Sequence, residues 1–293
     1  MTTPLLLLFT DLDRTLLPNG TQPESPLARA RFAALVSHPG VTLVFVSGRD
    51  RALVESAIAN FRLPKPDLVI SDVGTSIYDL RNGDWVVWPL WQEEIATDWN
   101  GYSHQQMSEL LRDFNELRLQ EYRKQNTYKL SYYVTLHVDE KTLNIALETR
   151  LRQHGINASL VWSVDEPAGI GLLDVLPLRA TKLHAVEFLQ TSLSIPLSRT
   201  LFAGDSGNDL PVLASPVPSV LVANATPLVA TTAISAAKNA GNQRAIYLAK
   251  GNFLDMNGNY SAGILEGVAH FHPELLELFS GHPDSGREEK TTG

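Results

Sequence analysis

The chain has 293 residues, 44% of them hydrophobic, a formal charge of −8 and no cysteine. That length allows one large or two medium domains with a real core, and the acidic balance argues against a nucleic-acid surface, which needs a basic face. Without cysteine, disulfides and thiolate chemistry are excluded and a structural zinc site has little to work with.

The first apolar run, residues 5–9, has the length of a buried strand in a parallel sheet. Helical periodicity follows over 27–35, a second strand over 41–46, a helix over 52–61 and a third strand over 67–70. Alternation of this kind implies right-handed βαβ units. The middle differs: 132–137 alternates like an antiparallel strand, 143–154 reads as an amphipathic helix, and 159–164 and 171–176 look like further strands. The opening rhythm returns with a helix over 183–189, a strand over 200–203, a helix over 210–213 and a strand over 217–222. The expectation is an α/β fold, a doubly wound, mostly parallel Rossmann-like core (1–79 and 173–279) interrupted by an inserted α+β domain (80–172). Residues 280–293, polar and glycine-containing, read as a disordered tail. The N-terminus lacks the basic n-region of a signal peptide, and no apolar stretch approaches the ~20 residues of a membrane helix. A cytoplasmic protein is expected.

Two carboxylate clusters carry the chemistry. Asp11-Leu12-Asp13-Arg14-Thr15 follows the first strand, and Gly204-Asp205-Ser206-Gly207-Asn208-Asp209 follows the strand at 200–203. Ligands of open α/β sheets bind beyond the carboxyl ends of the strands, so both clusters should open into one crevice. Crowded carboxylates invite a hard cation, and Mg²⁺ takes oxygen ligands while keeping waters that a phosphate can replace. Ser47-Gly48 ends the second strand, where a hydroxyl and backbone N–H groups make a neutral phosphate clamp, although Ser-Gly is also an ordinary turn pair. The eight histidines form no ligand spacing, and no P-loop, G-x-S-x-G or G-x-G-x-x-G occurs.

In order and context, Asp11-Leu12-Asp13-Arg14-Thr15, Ser47-Gly48-Arg49, Lys182 and Gly204–Asp209 resemble the four motifs of the haloacid dehalogenase superfamily. The insertion resembles that superfamily's C2-type cap. Within the superfamily the chain is most similar to the sucrose-phosphatase group, through Ser71-Asp72-Val73-Gly74-Thr75-Ser76-Ile77-Tyr78, Tyr128-Lys129-Leu130-Ser131-Tyr132-Tyr133, Leu173-Asp174-Val175-Leu176-Pro177 and Ser261-Ala262-Gly263-Ile264-Leu265-Glu266. The resemblance implies that Asp11 is the nucleophile, forming an aspartyl-phosphate, and that Asp13 is the general acid–base, its backbone carbonyl also contributing to the metal. It implies that Lys182 offsets the charge of the transferring phosphoryl, with Ser47, Gly48 and Asn208 also at the phosphate. Asp205 becomes the direct metal ligand beside Asp11, and Asp209 one that acts from behind the ligands or through a water. Arg49 is open to a phosphate contact or to bracing the loop, and Arg14 has no role assigned. Lys182 is followed by Leu183 where the family commonly has glycine.

From the cap, the resemblance points Gln125, Tyr128, Lys129 and Ser131 at the sugar; the bland alternative is a strand with a polar face. Trp85, Trp88, Trp91 and Trp99 crowd the start of the insertion, and core or hinge packing is preferred to a sugar platform. The expectation is a Mg²⁺-dependent, monomeric phosphatase acting on sucrose 6-phosphate, with a separate sucrose-phosphate synthase as the conceivable partner. The rivals are relatives acting on mannosylfructose phosphate, glucosylglycerol phosphate or mannosyl-3-phosphoglycerate, a phosphomutase, and a binding module without turnover.

Overall fold

The computed structural model describes residues 5–281. The chain enters a central sheet as β1 (Leu6–Asp11), every residue buried, and returns through α1 (Ala28–Val36) to β2 (Val41–Val46) and through α2 (Arg51–Phe61) to β3 (Leu68–Ser71). The antiparallel strands β4 (Ser76–Asp79) and β5 (Val86–Val87) complete that side. Beyond α3 (Pro89–Ala96) and α4 (His104–Leu110), a second, antiparallel sheet forms from β6 (Arg118–Leu119), β7 (Leu130–Val134), β8 (Ala158–Asp165) and β9 (Ile170–Pro177), with α5 (Glu140–Gln153) between β7 and β8. The chain then rejoins the large sheet through α6 (Lys182–Ser192), β10 (Thr200–Gly204), α7 (Leu210–Leu213), β11 (Ser219–Leu221), α8 (Pro227–Asn239) and β12 (Ile246–Leu248). It ends in α9 (Ser261–Phe271) and α10 (Glu277–Ser280).

Strand order in the large sheet is β12-β11-β10-β1-β2-β3-β4-β5. From β12 to β3 all neighbours are parallel. The order runs outward in both directions from the β1–β10 pair, and that reversal opens a crevice beyond the carboxyl ends of these two strands. Thr10 lies beside Ala203 in the register, so Asp11 and Gly204 leave the sheet side by side.

Period-two alternation sends Leu6 and Leu8 of β1 into one apolar cluster and Leu7 and Phe9 into another on the opposite face. A strand buried on both faces has no polar side to show, which is why its sequence is a continuous apolar run. A third cluster, with Trp99, Met107, Leu130, Leu147 and Leu173, lies between the small sheet and the helices α4 and α5.

The doubly wound architecture is as expected, with local differences. The strand expected over 132–137 is β7, Leu130–Val134; Leu136 falls in the turn that follows and is half-exposed. The expected boundaries at 80 and 172 also differ from the sheet limits. Strand β5 keeps the large sheet going to Val87, and β9 pairs with β8 without interruption from Ile170 to Pro177. Of the expected tail, Ser280 closes α10, and residues 282–293 lie outside the described residues.

A loop between β12 and α9 reaches over the segment that follows the first carboxylate cluster. Glu266, buried, accepts hydrogen bonds from Tyr247 Oη (2.7 Å), Lys250 N (2.8 Å) and Gly251 N (2.9 Å) and so anchors the loop. From its far end the Tyr260 hydroxyl donates to Gln22 O, and the Asn257 and Asn259 amides donate to Pro23 O.

Candidate active site

Asp11 is the last residue of β1 and Lys182 the first of α6. Their side chains are each 7% exposed and meet at 2.6 Å. The Lys182 ammonium also donates to Asp209 Oδ1 (2.8 Å) and Asn208 Oδ1 (3.1 Å). Three donors with three acceptors fix the amine; burial alone would lower its pKa, but the Asp11 and Asp209 carboxylates outweigh that and raise it. Burial pushes the Asp11 carboxyl up, Lys182 opposing and Asp209 adding to the rise.

Asp209 accepts hydrogen bonds from the protein at both oxygens. Its second oxygen accepts from the backbone N–H groups of Asp205 and Ser206, both at 3.1 Å. Gly204 makes this possible, since a Cβ there would lie 2.7 Å from the Asp209 carboxyl carbon. Asp205, by contrast, is buried with one oxygen that receives no hydrogen bond. Oδ1 accepts from Thr15 Oγ1 at 3.2 Å, whereas Oδ2 receives no hydrogen bond, its nearest cation being Arg14 Nε at 3.4 Å. Burial and the Asp209 charge push Asp205 up to about 6.

Asp11, Asp205 and Asp209 each bring one oxygen within 4.8 Å of the others. A buried carboxylate oxygen that receives no hydrogen bond and has only one long ion pair, set amid three acids, is a good arrangement for a hard divalent cation. The donor set therefore fits a metal of that class. The Asp13 carboxylate is not part of this trio. Arg49 grips it bidentately (Nε to Oδ2 and Nη2 to Oδ1, both 2.7 Å), and Asn19 Nδ2 donates to Oδ1 at 2.7 Å. Burial alone would raise the Asp13 pKa, but Arg49 and Asn19 outweigh it and hold the group below its ordinary value. Sequence reasoning left Arg49 between two roles; here it braces Asp13.

Ser47 is buried, its hydroxyl accepting from Arg49 N at 3.2 Å. Gly48 is exposed, and a Cβ there would meet Val73 Cγ2 at 4.0 Å. The backbone at the end of β2 thus has open space before it, which an anion could fill.

The four cap residues are placed differently from one another. The Gln125 amide donates to Gln120 O and Ser131 O and accepts from Ser131 N. Ser131 is buried and donates to Asp174 Oδ1 at 2.5 Å. Tyr128 is half-buried with its ring edge-on to Trp99. Lys129 crosses to the large sheet's side and pairs with Asp72 at 2.9 Å. Of the tryptophans, Trp91 and Trp99 are wholly buried, Trp91 donating to Gly74 O, while Trp85 meets Tyr78 edge-on. A cavity of about 490 Å³ lies where Asp50, Arg51 and Tyr78 face Arg123, Lys124 and Asn126. Sequence reasoning quoted Asp72 without giving it a role and passed over Asn19; their partners are distant in the chain or in an irregular loop.

A family model described as sucrose-6F-phosphate phosphohydrolase matches residues 4–272. A protein of Nitrosococcus oceani described as a HAD-like hydrolase is 50% identical over 285 residues, 97% of this chain and 76% of that protein. The mannosylfructose-phosphate phosphatase of Agrobacterium fabrum is 27% identical over 272 residues, 92% of this chain and 97% of that one. Sucrose-phosphatase 1 of Nicotiana tabacum is 29% identical, and the chain spans 59% of its length. Among solved structures, the sucrose-phosphatase from Synechocystis in complex with sucrose and phosphate shares the fold, with a TM-score of 0.67 at 24% identity, over 92% of this chain and 98% of that one.

Proposed function

Since the chain belongs to the sucrose-6F-phosphate phosphohydrolase family, a phosphatase family, we propose that it hydrolyses sucrose 6-phosphate to sucrose and phosphate. The observation that carries this is the convergence of Asp11, Lys182, Asp205 and Asp209 where β1 and β10 leave the sheet. In this reading residues 88–177, as the sheets divide, form the cap.

Asp11 Oδ attacks phosphorus, the bond from phosphorus to the sugar oxygen breaks, and Asp13 hands that oxygen a proton. A water then attacks the aspartyl-phosphate, gives its proton to Asp13, and the Asp11–phosphorus bond breaks. Lys182 offsets the negative charge that moves between Asp11 and the phosphoryl oxygens, while Ser47 and the Gly48 backbone bind the remaining oxygens. Asp11 and Asp205, with the Asp13 carbonyl and a water on Asp209, would hold Mg²⁺, which when bound neutralises charge on nucleophile and phosphoryl. For Asp13 to pass a proton it must let go of Arg49, because a carboxylate in a bidentate guanidinium fork stays ionised. The compartment we assign is the cytoplasm, with a separate sucrose-phosphate synthase as the source of substrate.

Phosphate release from sucrose 6-phosphate, glucose 6-phosphate, fructose 6-phosphate and mannosylfructose phosphate, with and without Mg²⁺, tests the reading. Preference for sucrose 6-phosphate that needs Mg²⁺, and its loss in Asp11→Asn, is the expected result. Preference for mannosylfructose phosphate would move the assignment to the second reading, which the near full-length match to the Agrobacterium enzyme favours. Full activity in Asp11→Asn would sink the mechanism.

A further inference from the structure

The loop joining β3 to β4 does more than turn the chain. Asp72, Val73 and Gly74 take φ of 51°, 60° and 94°. A β-branched residue such as Val73 adopts that left-handed backbone only where its surroundings over-determine it, and here they do. Asp72 N donates to Arg49 O at 2.9 Å, tying the loop to the residue that grips Asp13. Gly74 faces both connections between the two sheets. Its carbonyl accepts from the Trp91 indole at 3.0 Å, and a Cβ on it would lie 3.0 Å from the Thr181 carbonyl carbon, one residue before Lys182.

The same loop meets the small sheet at two points. Lys129 Nζ donates to Asp72 Oδ1 at 2.9 Å, with both side chains 9% exposed, and Asn126 Nδ2 donates to Thr75 Oγ1 at 2.8 Å. Thr75 in turn donates to Asp72 O, so the two contacts brace each other. Asp174, on the neighbouring strand and bonded to Ser131, adds a second negative charge near Lys129. A buried ion pair tolerates little displacement, because a shift that parts it leaves two uncompensated charges out of water. The pair therefore defines one register of the small sheet over the core.

We propose that Asp72 is a positioning residue for recognition of the leaving group. Acting from the core through Lys129, it sets where the 125–131 segment stands above the crevice. The inference rests on the phosphatase reading above, and the sugar enters it as the part of the substrate that this segment would face.

The test compares wild type, Asp72→Asn and Asn126→Ala with the sugar phosphate on which the wild type is most active. KM, kcat, the inhibition constant of inorganic phosphate and the melting temperature are measured for each. For Asp72→Asn we expect KM to rise about tenfold or more, as removing one partner of a close charge pair does. The inhibition constant of phosphate, which needs the core alone, should stay within about twofold. Asn126→Ala, a milder change in a partly exposed residue, should show the same split at smaller size and carries the test if Asp72→Asn fails to fold. Losses of sugar-phosphate and phosphate binding in parallel, following the melting temperature, would make the loop merely structural and overturn the proposal. So would an unchanged KM in whichever variants fold. A wild type that releases phosphate from no sugar phosphate would instead remove the phosphatase reading and this inference with it.

Discussion

Single residues at the crevice are held by contacts that local sequence announces only in part. Glycine stands at 204 because the Asp209 carboxyl is packed where a Cβ would be. Gly204→Ala should therefore displace the acceptor of Lys182 and lower kcat about 10²-fold, the usual scale for a misplaced catalytic group, while the far-ultraviolet spectrum stays that of the wild type. A Cβ added at Gly48 would have room, its nearest neighbour being Val73 Cγ2 at 4.0 Å. Asp174 supplies a pH-dependent case. Burial raises its pKa against the Ser131 bond and the Lys129 charge, so the folded protein binds its proton more readily than the unfolded chain. Its contribution to stability is full below the ordinary carboxyl value and is lost as pH rises through the raised folded one. Asp174→Asn should thus melt above the wild type at pH 8, with the gap closing on acidification; a gap that widens toward low pH would reverse the sign of this account.

At the scale of elements, what could be read from the sequence was what repeats locally. Strands buried on both faces show as apolar runs, and α2 and α5 start and end within one to three residues of expectation. Helix α9 went unassigned for a physical reason: its first eight residues, Ser261 to Val268, are all buried, so no polar face marks the period. Gly263 and Gly267 lie one turn apart on the face that meets β11. A Cβ on Gly267 would stand 2.5 Å from Val220 Cβ, and one on Gly263 would strike the Gly258 carbonyl oxygen and come within 2.9 Å of Val222 Cγ1. Two effects oppose each other in Gly267→Ala. Alanine gains about 1 kcal/mol in helix propensity, and overpacking a filled contact costs about 1–3 kcal/mol. The struck atom is a β-carbon of a central strand that cannot swing aside, so we expect a net loss of stability in urea unfolding. A stabilised variant would show that α9 has slack.

For the whole molecule, the position of the crevice followed from where the two carboxylate clusters fall relative to apolar strands. The contacts of the cap did not, because Lys129, Ser131 and Gln125 find partners far away or in irregular backbone. A cation held by the three carboxylates would add to global stability. A ligand at a hundred times its Kd adds about 2.7 kcal/mol to the folded state, and for a chain of this size that corresponds to several degrees of melting temperature. Mg²⁺ should raise the melting temperature of the wild type and leave that of Asp205→Asn nearly unmoved; equal shifts in both would place the ion elsewhere.

The adjacency of β1 and β10 also has a consequence for how the protein is made. Leu7 pairs with Thr200, so the nascent chain exposes one edge of its most apolar strand until the whole cap has left the ribosome. At typical elongation rates that interval is roughly ten to forty seconds, during which Leu6, Leu7, Leu8 and Phe9 lack the neighbour that will cover them. Truncated translation products ending before β10 would carry Asp11 without Asp205, Asp209 or Lys182's full set of partners. They would be prone to aggregate and unable to touch cellular phosphate esters.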